Sequence, residues 1–319
     1  MPIWWLSRPP NCERLSRFCR SIVQPVWGQG GDSATEITHN QLLSHAAVVK
    51  LYRDKYQELQ KGEIGIMVNT FWFLPYDDTA KSVKARDRGL GFMLGWIMDP
   101  VLYGRYPETM RERVGNRLPR SSEGEAEMVK GSFDFIELNC YSGKYAISYH
   151  SPNEVSYVTD SGYNAVGDKD GIPIGEQGSN YTWYNVYPKG LRLLLQYIKL
   201  QYNDPLIYIT ENRIDVDRDD SVPMSEALKD YTRKKFFFDH LCCLREAIEL
   251  DGVNVKGFFT WSLTDNYEWA SGYLVRYGLN YVDFTDKYLW RYPKLSAQWL
   301  GSIFGRGDGT PRVREVSDH

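Results

Sequence analysis

Residues 205–220 read PLIYITENRIDVDRDD: an apolar run stops at Thr210, a lone carboxylate, Glu211, follows it, and a polar loop begins. The run is short, rich in isoleucine and bounded by turn formers, which predicts a buried β-strand. Three other stretches carry the same signal, GEIGIMVN (62–69), FDFIELN (133–139) and VKGFFTW (255–261). Around them lie segments whose apolar residues recur at helical spacing: NQLLSHAAVVKLYRDKYQELQ (40–60), DTAKSVKARDRGLGFMLGWIMDP (78–100, ended by Pro100), YPKGLRLLLQYIKLQY (187–202) and residues 225–250. Strands alternating with helices predict an α/β fold with parallel pairing through helical crossovers. The polar, glycine-rich stretch 142–182 reads as a functional loop.

The 319 residues are 42% hydrophobic and 14% aromatic with a formal charge of -3, enough apolar content for a large core and too little basic charge for a nucleic-acid partner. Five cysteines with no paired C-x-x-C unit give no zinc site or dense disulfide framework, and the five histidines do not cluster, so no metal or other cofactor is expected. No run of eighteen apolar residues exists for a membrane span, and the opening residues lack the pattern of a secretory signal; a cytoplasmic location is the expectation.

In a parallel α/β barrel the chemistry sits where strands end. Asn139 and Tyr141 follow the second strand, Glu211 and Asn212 the third, and Trp261 the fourth. Each alone has a simpler structural account: a strand-terminal asparagine makes turns, a glutamate after a strand caps the next helix, a strand tryptophan is core. Together they mark one rim. The segment TWSLTDNYEWASGY (260–273) adds Glu268 and Trp269 to Trp261, two aromatic faces and a carboxylate in one loop. Sugars need that combination, a ring for the C–H face and acceptors for the hydroxyls.

Several long stretches resemble the family 1 glycoside hydrolases, plant β-glucosidases in particular: HNQLLSHAAVVKLYRDKYQELQKGEIGI, GFMLGWIMDPVLYGRYPETMRERVGNRLP, KGSFDFIELNCYS, YITEN and VKGFFTWSLTDNYEWASGYLVRYGLNYVDF. The resemblance implies a TIM (β/α)8-type barrel, incomplete, in which the four strands are the C-terminal strands five to eight with their helices. It divides the chain into a divergent segment 1–30, the barrel part 31–305 and a polar tail 306–319. It also implies retaining hydrolysis of β-glucosides, with a β-glucoside or other small glycoside as partner. Glu211 is similar to the catalytic nucleophile and Tyr141 to the tyrosine that donates a hydrogen bond to it. Asn139 is similar to a neighbour in the pocket, Trp261 to the platform under the glycone, Glu268 and Trp269 to the groups that bind its outer hydroxyls, and Trp183 to an aromatic that contacts the aglycone.

The pattern also departs from the family. A retaining enzyme needs a second carboxyl about 5–5.5 Å from the first, and the family's acid lies in a T-x-N-E-P motif. Residues 1–40 contain no such motif; their acids are Glu13, Asp32 and Glu36, and Glu36 is expected to cap the helix that follows. Arg213 stands where the family has glycine after ITEN, and is expected to crowd the turn and pair with Glu211. Cys12 and Cys19 are similar to a disulfide pair of the plant enzymes, at unusual distance. The expectation is a hydrolase lacking its acid and inactive alone, associating through exposed barrel edges. A non-catalytic sugar-binding or interaction protein, and an incomplete product without independent function, remain open.

Overall fold

A computed structural model describes residues 33–150, 156–180 and 184–305. Trp183, Cys12 and Cys19 lie outside the described residues. The chain forms two compact units: one comprises residues up to Leu138 with Tyr145–Val166 and Pro205–Ile207, the other Asn139–Lys144, Gly167–Asp204 and the residues from Tyr208 onward.

In the first unit, helix α1 (Ser33–Lys55) has Glu36 in its first turn, where a carboxylate faces the positive end of the helix, and Arg53 and Lys55 in its last. Its His45 ring lies 2.5 Å from the Ser132 carbonyl, and Arg53 holds Asp134 at 2.7 Å. Strand β1 (Gly65–Pro75) follows and pairs with β2 (Phe135–Ser148). Between them run α2 (Ala80–Leu90), capped by Thr79 accepting from the Ser82 amide, and α3 (Trp96–Tyr103). The predicted stop at Pro100 is not where this helix ends. A π-helical segment, Gly91–Gly95, resets the hydrogen-bond pattern just upstream, so Pro100 removes a bond only in the first turn and a half of α3. Gly104, at φ 71°, ends the helix by donating to the Pro100 carbonyl. Helices α4 (Glu108–Val114) and α5 (Glu123–Val129) complete the layer, α5 opening on a Ser122–Glu125 capping box. A cavity of about 520 Å³ between α1, α3 and α5 is lined by His39, Leu42, Tyr106 and Arg120 and contains none of the strand-end groups.

Strand β2 is twice the predicted length. It passes through Asn139 and Tyr141, which therefore lie within a strand and not after one, because its far half finds an antiparallel partner in β3 (Tyr163–Val166), with Tyr145 opposite Val166 and Ser148 opposite Tyr163. The stretch 142–182 is accordingly not an irregular loop throughout; it also holds a small hairpin, Asp168–Lys169 with Ile172–Pro173.

In the second unit, β4 (Ile207–Glu211) lies between β2 and β5 (Val255–Phe258). The three run parallel. Helix α6 (Pro188–Gln201) leads into β4 and α7 (Tyr231–Glu249) into β5, the crossovers that parallel pairing requires. Leu191, Leu194, Leu195 and Ile198 form the buried stripe of α6. Ile214, Phe236, Phe237 and Leu300 build a core between α7 and α8 (Leu295–Phe304), with Phe258 and Trp299 against it. The predicted helix 225–250 breaks at Asp230, φ 40°, whose carboxylate is held by Arg233 and Ser296. Among the described residues no helix is long and apolar enough to cross a membrane.

Candidate active site

The site is built at the end of β4, within the second unit. Alternation along β2 buries Leu138 and Cys140 on one face and turns Asn139 and Tyr141 to the other. Asn139 is buried, and its Oδ1 accepts from Thr210 Oγ1 of the neighbouring strand at 2.7 Å. Two residues on, Tyr141 Oη donates to Glu211 Oε2 at 2.5 Å. The next residue, Asn212, is fully buried and donates from Nδ2 to the Cys140 carbonyl at 2.7 Å, which ties β4 to β2 at the level of the tyrosine. Burial pushes the Tyr141 hydroxyl well above its ordinary range, with the Glu211 charge adding to the rise and Arg213 opposing it, so the tyrosine stays a donor.

Beyond the strand end the ladder continues: the Phe259 amide reaches the Ile209 carbonyl at 2.8 Å and the Trp261 amide the Asn212 carbonyl at 3.1 Å. This places Trp261 after β5 and not in it. Trp261 Nε1 donates to Glu268 Oε1 at 3.0 Å. Arg213 Nη1 takes the other oxygen, Oε2, at 3.3 Å, with side-chain exposures of 12% and 4% for the pair. Burial raises the Glu268 carboxyl, while the Trp261 bond, the Arg213 charge and Asn266 pull it back.

Arg213 thus pairs with Glu268, where pairing with Glu211 was expected. The buried carboxylate gains more from a counter-charge than the less buried Glu211 would, because the surrounding dielectric is lower. Nor does the side chain strain the turn, since Arg213 has an ordinary negative φ. Leaving either buried charge without the other would cost about 3–5 kcal/mol. The guanidinium is boxed by rings, 4.4 Å from the centroid of Tyr277, 4.6 Å from Tyr141, 5.4 Å from Tyr184 and 5.9 Å from Trp261, and Nη2 donates to Tyr184 Oη at 2.8 Å. Burial acts against its charge, and the surrounding oxygens outweigh burial.

The loop that carries Trp261 and Glu268 is pinned by Asp265. Its fully buried carboxylate takes Arg276 Nη1 at 2.6 Å, Lys294 Nζ at 2.9 Å, and the amides of Gly278 and Val282 at 2.9 and 3.2 Å. Glycine is required at 278, where a Cβ would lie 2.1 Å from the Asp265 amide nitrogen. Trp269 stands apart: it sits in the short turn Trp269–Ser271 with its side chain 63% exposed.

The structure therefore gathers Asn139, Tyr141, Glu211, Trp261 and Glu268 and leaves Trp269 toward solvent. Tyr184 and Tyr277 belong to the cluster but drew no notice in the sequence. Both lie inside aromatic-rich stretches that held other candidates, and their shared partner is a side chain whose direction no spacing rule gives.

The family model described as glycosyl hydrolase family 1 matches residues 1–308. Beta-glucosidase 11 of Oryza sativa subsp. japonica is 48% identical over 295 residues, 90% of this chain and 55% of the relative. Raucaffricine-O-beta-D-glucosidase of Rauvolfia serpentina is 44% identical over 302 residues, 92% of this chain and 55% of the relative. The crystal structure of the rice Os3BGlu6 beta-glucosidase matches with a TM-score of 0.84 at 38% identity, covering 92% of this chain and 61% of that one. The chain spans a little over half the length of the relatives it matches.

Proposed function

The chain belongs to glycosyl hydrolase family 1, and from that membership we propose that it carries the nucleophile side of a retaining β-glucosidase. Its parallel β/α units are part of the family's (β/α)8 barrel. The observation that carries the proposal is the 2.5 Å bond from Tyr141 to Glu211 at a strand end. With Oε2 accepting from the tyrosine, Oε1 is the oxygen left to attack the anomeric carbon. The C–O bond it forms gives a covalent glycosyl-enzyme, and the bond to the leaving oxygen breaks with its electron pair going to that oxygen. Trp261 offers an apolar face for the sugar ring and Glu268 acceptors for its outer hydroxyls.

An alkyl leaving group must be protonated as it departs, and the same acid, acting later as base, must activate water. General acid–base help of this kind is typically worth 10²–10⁴-fold. The sequence contains no T-x-N-E-P motif. The reading therefore assigns this chain by itself a half-reaction: it transfers a glucosyl group from a leaving group that needs no proton and stalls at the covalent stage.

A dinitrophenyl β-glucoside tests this. The expected result is a burst of one equivalent of dinitrophenolate per chain with no sustained turnover, a glucosyl adduct mapped to Glu211 by peptide mass, and no release from alkyl glucosides. Glu211→Gln should abolish the burst. A label on another residue, or none at saturating reagent, removes Glu211 from this role; robust turnover of alkyl glucosides by the chain alone removes the half-reaction.

A further inference from the structure

Both oxygens of Glu268 are engaged: Oε1 holds the Trp261 indole and Oε2 the Arg213 guanidinium, in a setting only 4% exposed. The cation that occupies it also stands against the rings of Trp261, Tyr141 and Tyr277 and is fastened at its far side by the Tyr184 hydroxyl. It is an intramolecular ligand with the features a sugar would use in the same place, donors toward the carboxylate and a flat body against aromatic faces. Arg213 Nε is buried with no hydrogen-bond acceptor, so the side chain is held by the pair and the rings and not by a full complement of acceptors.

We propose that Arg213 is the specificity-determining residue of the candidate site, a plug that fills the subsite formed by Trp261 and Glu268 and competes with neutral hexoses for it, so that a glucoside enters only at high concentration. The proposal rests on the sugar-site reading of Trp261 and Glu268 given above. A neutral hydroxyl cannot replace a guanidinium beside a buried carboxylate without leaving that charge uncompensated. A hexose gains the subsite only by expelling the plug. Removing the plug frees Oε2 and the ring faces together.

The test is binding of glucose and cellobiose to the full chain, by titration calorimetry and tryptophan fluorescence, in the wild type, Arg213→Gly and Arg213→Ala. The expected result is affinity at least about tenfold higher in both variants than in the wild type, lost again when Trp261→Ala is added. A merely structural arginine would lower the melting temperature on removal and raise no affinity; Arg213→Ala keeps the test open should the glycine variant fail to fold.

Two other outcomes overturn the plug and differ from each other. If wild type and variants bind alike and Trp261→Ala weakens all of them, the sugar subsite stands and the plug is wrong. If Trp261→Ala changes nothing in any background, or no form binds, the sugar subsite itself is wrong, and the plug with it. Neither readout depends on chemistry at Glu211, so failure of the nucleophile assignment registers separately in the dinitrophenyl experiment.

Discussion

One hydroxyl decides how Glu211 presents itself. The Tyr141 bond engages Oε2 of the carboxylate. Tyr141→Phe keeps the ring and its edge contact with Tyr184 but removes the donor. A hydrogen bond to a charged group is worth about 1.5–3 kcal/mol. The burst of dinitrophenolate should therefore slow by roughly ten- to hundredfold, read by stopped-flow absorbance, with the melting temperature little changed. An unaltered burst rate would mean the tyrosine does not act on the nucleophile. The positions of Glu211 and Trp261 were legible because each belongs to a stretch whose pattern places it at the end of an apolar strand, whereas Tyr141, expected after its strand, lies inside one. The partner of Arg213 was not legible. Which of two carboxylates a long, flexible cation chooses depends on burial, and Glu268 becomes the more buried only once the loop from 261 to 268 has folded back.

At the level of elements, the four strands followed from short apolar runs bounded by turn formers and the helices from apolar periodicity, and the errors fell where tertiary partners override local signals. Strand β2 ran on because β3 supplied a partner far along the chain. Helix α3 ran past Pro100 because the preceding π-helical segment shifted the bond pattern. The loop that presents Trp261 and Glu268 is tied to residues 277–280 by a short run of backbone bonds and pinned by Asp265, which collects two cations and two amides without exposure to water. Asp265→Ala leaves Arg276 and Lys294 buried without that counter-charge. It should destabilise the protein by about 3–5 kcal/mol, measured as a lower urea midpoint. A change within a few tenths of a kcal/mol would show that water or the Gly278 and Val282 carbonyls satisfy the cations unaided.

For the molecule as a whole, acid sensitivity is written into α7. His240 is buried, stacks on Phe236 with ring centroids 3.9 Å apart, and its Nδ1 lies 2.8 Å from the Phe236 carbonyl. Burial pushes the imidazole down to about 4, against partial support from that carbonyl and the Asp239 charge. The unfolded chain binds the proton more readily, so folding stability contributed by neutral His240 is complete above about pH 6.5 and is lost as the pH falls toward about 4, by roughly 3 kcal/mol in all. Urea titrations across that window should slope downward in the wild type, and His240→Leu should flatten the slope; equal slopes would place the acid sensitivity elsewhere. A last consequence concerns the alignment of neighbouring strands. Along β2 a slide of one position would exchange the faces of Cys140 and Tyr141, offering Glu211 a thiol in place of a phenol. Asn212, by gripping the Cys140 carbonyl, opposes that slide, so one buried amide keeps the frame in which a phenol and not a thiol meets Glu211.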